Sequence, residues 1–268
     1  MRIKLSNFIL FLGYLFLYAP LLCIVVCSFN ESMFVSVWSG FSLKWYRALM
    51  SDQIMLRATW TSLKIASLSA SVSVVIGVIA AIVIVRLRKF RGKSFFMGAI
   101  TAPLVMPEVI MGLALLMLFV GSEEYFGWPD GRGTLTVVVA HITLTLSYVT
   151  MVVMARLQDL DRSIEEAALD LGASPIKAFF VITLPMISPS IMVGWLLAFA
   201  LSLDDVVIAS FVAGPGATTL PMIVFSSLRF GISPEINALA TILITVLSIG
   251  VIISAMWIYR KKDAKDTA

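Results

Sequence analysis

Long apolar runs separated by short polar stretches set the pattern of the chain. Six of them, near residues 7–28, 61–85, 95–120, 134–154, 187–209 and 237–259, can each cross about 30 Å of hydrocarbon at roughly 20 residues per crossing. In lipid every backbone group must be paired within its own segment, so each run predicts a helix. The third run holds Pro103 and Pro107, which remove helix hydrogen bonds and free the carbonyls of Ala99 and Pro103. The fifth ends at Gly214, Pro215 and Gly216. The segment TLPMIVFSSLRF beyond it is apolar but too short to span, so it re-enters or lies at the outer surface. The first run is too long for a signal-peptide core and lacks a clear cleavage site, so it is expected to stay as a span.

The longest polar interruption in the second half is Ser163 to Pro185, within a loop expected over 155–186. Ser163 followed by Glu166 reads as a capping box that starts a helix. Ile164, Ala167, Ala168 and Leu171 form one apolar face at i, i+3, i+4 and i+7. Gly172 supplies a left-handed stop. Ser174 and Pro175 start a second helix, as N-cap and first helical residue, and Pro185 is expected to close it. The first helix has a slim face, two alanines and no aromatic. Such a face suits a tight groove on a partner, or equally a connecting loop lying on the membrane surface.

Composition sharpens the picture. The chain has 268 residues, 60% hydrophobic and 13% charged. That excludes a soluble domain of this size and makes the bilayer its solvent. With both termini placed on one side, that side holds Arg2, Lys4, Arg86, Arg88, Lys89, Arg91, Lys93, Arg156, Arg162, Lys177, Arg260, Lys261, Lys262 and Lys265. The other side and its helix ends keep Lys44, Arg47, Arg57, Lys64, Arg132 and Arg229. The excess of basic residues predicts that the termini and the 155–186 loop are cytosolic. The basic residues lie between apolar runs rather than in one patch, so nucleic-acid binding is not implied. Gly92-Lys93-Ser94 ends like a phosphate-binding loop, but Leu87 stands where that loop needs glycine. No other such pattern occurs, so any ATP hydrolysis belongs to a separate chain. The basic cluster there suits anionic headgroups or topology. Trp38, Trp45 and Tyr46 in the first outer loop are expected as headgroup anchors, with SLKWYRALM as a short interfacial helix.

Candidate chemistry is confined to acids within the spans. Glu108 lies about 13 residues, or roughly 20 Å, into the third run, and Asp204 and Asp205 about 17 residues, or roughly 26 Å, into the fifth. A carboxylate in the bilayer core costs about 2.5–3.5 kcal/mol, so it faces a bundle interior or a wet cavity. Successive helical residues diverge by about 100°, so at most one aspartate faces a bore fully and the other caps or braces a neighbour. Lys64 is the one nearby basic partner for Glu108, and it can snorkel outward instead. Unanswered carboxylates at similar depth point to a cationic cargo, the alternative being protonation or hydrogen bonding between helices. Cys23 and Cys27 read as packing residues and His141 as a packed or interhelical residue, so no metal site is expected. No internal repeat supports an inverted-repeat transporter.

Glu166-Ala167-Ala168, then Gly172, then Ile182 and Leu184-Pro185 resemble the EAA signature of ABC-importer permeases. The stretch around LSLDD, the segment after it and YAPLLCIVVCSFN resemble polyamine-importer permeases, the putrescine type in particular. The resemblance implies an all-α, six-span permease of the type I importer kind forming one domain over 1–268, in a bacterial inner membrane. It implies cytosolic coupling helices in which Glu166, Ala167, Ala168, Gly172, Ala173 and Pro185 meet the ATPase. Glu108, Asp204 and Asp205 would line the substrate pathway. Implied partners are a second permease, two ATP-binding subunits that hold ATP and Mg, and a periplasmic polyamine-binding protein. No cofactor is implied in this chain, and no covalent chemistry. The same fold carrying ferric iron or thiamine, or a non-transporting scaffold, are the competing readings.

Overall fold

The computed structural model describes residues 2–34, 37–87, 90–227, 234–246 and 248–249, with side chains from residue 7 onward. Residues 247 and 250–259 of the sixth expected run therefore lie outside the described residues, as do Arg88, Lys89, Arg229 and the basic tail from Arg260. Among the described residues the chain is helical, and its one β-feature is an antiparallel bridge between Asn30 and Phe41. Five helices there are long and apolar enough to cross a membrane: Asn7–Cys27, Gln53–Arg86, Glu108–Phe126, Thr134–Asp159 and Pro175–Asp204.

Two compact units make up the chain, Met1–Leu56 with Ser226–Ala268, and Arg57–Phe225. In the first, α1 (Arg2–Cys27) exposes nearly all of its described side chains, as a helix sheathed in lipid can. The loop after it is organised by buried Asn30. Its amide donates to the Val37 carbonyl, its side-chain oxygen accepts from the Ser32 and Ser39 N–H groups, and its backbone carbonyl accepts the Trp45 indole N–H at 2.7 Å. The short helix expected here exists as α2 (Lys44–Ser51). Trp45, however, is buried and hydrogen-bonded within the protein rather than reaching headgroups. Tyr46 likewise shares a 2.7 Å hydrogen bond with Ser28 and packs on Phe29.

The second unit is built around α6 (Thr134–Asp159), which packs along α9 (Leu184–Asp204) and touches α4 (Lys93–Val105), α5 (Glu108–Phe126) and α10 (Val207–Val212). Lipid gives apolar side chains no reason to leave it, so small residues and hydroxyls provide the close fit. Gly77 of α3 (Gln53–Arg86) lies so near Val149 that an added Cβ would come within 2.9 Å of it. Ser73 of α3 and Thr145 of α6 share a 2.7 Å hydrogen bond, and Ser147 donates to the Ile100 carbonyl of α4. Two apolar clusters result, one around Phe119, Val137 and Ile208, the other around Val149, Leu157 and Ile187.

Two of the expected runs are broken. The 95–120 stretch is two helices, α4 and α5, because Pro107 lacks an N–H and holds the residue before it extended. The fifth run breaks after Asp204, and α10 begins at Val207. Both breaks place an acid at a helix end, Glu108 as the first residue of α5 and Asp204 as the last of α9.

Candidate functional site

The 155–186 loop folds as two short helices, α7 (Ser163–Asp170) and α8 (Pro175–Ala178). Gly172 takes the left-handed conformation at φ +86°. Its N–H reaches the Leu169 carbonyl and the Ala173 N–H reaches that of Ala168, which closes α7 as a Schellman motif. Ser174 caps α8 by accepting the Lys177 N–H, with Pro175 at the first turn. The start of α7 differs from the capping box. Ser163 is its first helical residue, and the Asp161 carboxylate accepts the Ser163 N–H at 2.9 Å. That bond, followed by one from the Ser163 hydroxyl, holds the Asp161 carboxyl below the usual carboxylate range. Pro185 does not close the second helix either. A π-turn, Phe179–Thr183, carries helical structure from α8 into α9, and Pro185 sits in the first turn of α9, where a missing N–H costs little.

No residue of α7 is buried. Glu166, Ala167 and Gly172 are exposed, Ala168 and Ala173 half-buried. Around them Ile164, Leu171, Ile176, Phe180 and Val181 are exposed too, with Leu171 89% accessible. Ala168, Gly172 and Ala173 line one concavity of about 280 Å³ with Lys177 and Ile182. Glu166 and Ala167 lie outside it, and Pro185 belongs to the root of α9. An unburied helix with a slim apolar face beside a shallow hollow is the shape of a surface that a partner completes.

The acid that ties α7 to the bundle is Glu165, which sequence reasoning passed over. Its carboxylate pairs with Arg86 at the end of α3 at 2.5 Å and accepts the Thr183 hydroxyl from the end of the π-turn. The partners lie 79 and 18 residues away in sequence, so no local pattern announces them.

The intramembrane acids divide sharply. Asp205 is buried, and its oxygens are fully engaged: by the Ile208 N–H at 3.2 Å, the Ala209 N–H at 2.7 Å and His141 Nε2 at 3.1 Å. His141 Nδ1 lies 2.6 Å from the Ser202 hydroxyl. The imidazole thus bridges two groups, one ring nitrogen to the Ser202 hydroxyl and the other to the Asp205 carboxyl. Asp205 is thus the bracing aspartate, capping α10 and pinning α6 to α9. Asp204 and Glu108 are exposed. Among the described residues no hydrogen bond or ion pair engages either carboxylate, and Lys64 instead lies over the Trp60 ring at 5.6 Å. Asp204 stands at the negative end of the α9 dipole, which strengthens its pull on a cation, whereas Glu108 at the start of α5 is itself stabilised there. No group of three or more potential metal-ligating side chains occurs among the described residues.

A family model described as "Binding-protein-dependent transport system inner membrane component" matches residues 73–265. The chain is 58% identical over 241 residues to the putrescine transport system permease protein PotI of Escherichia coli (strain K12), across 90% of this chain and 86% of that one. It is 40% identical over 254 residues to the spermidine/putrescine transport system permease protein PotC of the same organism, across 95% and 93%. Among solved structures it resembles a bacterial ABC transporter involved in the import of the acidic polysaccharide alginate. That match has a TM-score of 0.71 at 16% identity, covering 97% of this chain and 94% of the other. At that identity the match establishes the fold, that of a type I importer permease.

Proposed function

The chain belongs to the family of binding-protein-dependent transport system inner membrane components, and on that premise we propose that it is a permease subunit of an ATP-driven importer of polyamines, putrescine foremost. As the membrane component it conducts solute rather than performing covalent chemistry. The likeness to the putrescine permease over nearly the whole chain carries the substrate assignment. The unanswered carboxylates of Glu108 and Asp204 support it, because a diamine supplies the positive charge they lack. An anionic cargo would be repelled by them.

In this reading the whole chain is one permease domain of six spans, with both termini and the 155–186 loop in the cytosol. It pairs with a second permease, two ATPase subunits that hold ATP and Mg, and an external polyamine-binding protein. Exposed α7 and α8 fill a cleft on the ATPase, where Glu166, Ala167, Ala168, Gly172 and Ala173 form the contact. Pro185 marks the point where movement of that contact enters α9. Closure of the ATPases around ATP shifts the coupling helices and opens the bore to ligand delivered from outside.

The test is co-purification. Glu166→Lys places a like-sized cation on the contact, and Gly172→Trp both fills it and strains a positive φ. Each should lose the ATPase and abolish putrescine uptake while the chain still inserts. Recovery of the ATPase at parent yield from both variants would refute the docking assignment.

A further inference from the structure

We infer that Glu165 is the positioning residue through which motion of the coupling helix reaches two spans at once. It deepens the proposal that α7 and α8 meet an ATPase and depends on it.

The geometry is specific. Helix α7 buries none of its own side chains, so apolar packing alone does not anchor it. One carboxylate oxygen, Glu165 Oε1, receives both Arg86 Nη2 of α3 and Thr183 Oγ1 of the π-turn that runs into α9. The Arg86 and Glu165 side chains are 16% and 21% accessible, and Thr183 is buried. The pair is therefore partly shielded from water and stronger than a free surface ion pair. A cavity of about 230 Å³ lies beside the junction, walled by Ile82, Leu169, Pro175 and Phe179. The junction is thus charged and directional, with open volume beside it into which α7 can tilt without being detached. The π-turn adds compliance at the third point, since its wide turn carries Thr183 at the base of α9. Glu166, next in sequence, is exposed and bonds neither Arg86 nor Thr183, so it is left for the external contact. The two adjacent acids thus divide the labour, one facing the motor and one facing the spans.

The experiment uses the full reconstituted complex and reads ATP hydrolysed per putrescine accumulated, alongside ATPase co-purification. Glu165→Gln keeps an acceptor for Thr183 but removes the charge that holds Arg86. Co-purification should stay at the parent level while the ratio rises about fivefold or more, the lower end of ordinary coupling strengths. Arg86→Glu should do the same. The exchanged pair, Arg86→Glu with Glu165→Arg, restores the attraction and should return the ratio most of the way to the parent value. A parent-like ratio in Glu165→Gln, or no recovery in the exchanged pair, overturns the inference. Loss of the ATPase from Glu165→Gln overturns it as well, by moving Glu165 to the docking face. If the parent chain itself captures no ATPase, the docking proposal fails instead. Amide hydrogen exchange over α7 then decides on its own: Glu165→Gln should speed it selectively, and unchanged protection overturns the inference.

Discussion

Two neighbouring aspartates should behave as different kinds of residue. Asp205→Ala removes three hydrogen bonds at once, those to His141, Ile208 and Ala209. Interhelical side-chain bonds in membranes average about 0.6 kcal/mol and reach about 1.7. Loss of a helix cap costs about 1 kcal/mol, and more where the freed N–H groups are buried. Together these give about 2–4 kcal/mol. Asp205→Asn retains one oxygen for α10 but turns an amide toward a neighbour, so about half that loss is expected. Asp204 is exposed and unbonded, and Asp204→Asn should stay within about 0.5 kcal/mol of the parent. Thermal or denaturant unfolding of the purified chain in one detergent measures the series. Putrescine uptake, normalised to folded protein, should run the other way, with Asp204→Asn the slow transporter at parent stability. Equal destabilisation by Asp204→Asn and Asp205→Ala would refute the assignment of brace and pathway, as would Asp205→Ala at parent stability.

Three glycines should rank by what a methyl group would meet. Gly214→Ala puts Cβ 1.8 Å from the backbone oxygen of Arg132 and should cost about 3 kcal/mol or more, whereas Gly77→Ala meets the side chain of Val149 at 2.9 Å and should cost about 1–3. Gly13→Ala, in a helix with nothing within 4 Å, should be neutral or stabilising; unfolding midpoints that break this order count against the packing described. At the start of α7 the folded Asp161 carboxyl sits below its unfolded value. Its stabilising contribution is therefore present above the unfolded pKa and lost as pH falls through the folded one. Amide protection of α7 should fall on acidification in the parent and respond less in Asp161→Asn; identical pH responses would contradict the cap.

Among the described residues, periodicity and length suffice to find the apolar helical stretches, because lipid leaves the backbone no other way to pair, but not where they break. The end of α7 and the start of α8 were equally legible, since Gly172, Ser174 and Pro175 act through their own backbones. The start of α7 was not. Asp161 and Ser163 are both good caps, and nothing local decides which one accepts the bond. Pro185 misled for a related reason: a proline forbids a bond only to one carbonyl, and the π-turn before it shifts the register of those bonds. Pro107 and the break after Asp204 divided runs that hydropathy reads as continuous. What stayed hidden was which groups pair at a distance. Asp205 and His141 each read as a residue that could bond between helices, yet only the packing of α6 against α9 makes them partners. Glu165 and Arg86 carry no such signal, and only the packing of α7 against the end of α3 brings them together.

The decisive measurement is accumulation of labelled putrescine by proteoliposomes holding this chain with its partner permease, ATPases and binding protein. ATP-dependent accumulation, reduced by excess unlabelled polyamine and absent with Asp204→Asn paired with Glu108→Gln, is the expected result. Accumulation of no polyamine by a complex that hydrolyses ATP in response to another solute would contradict it.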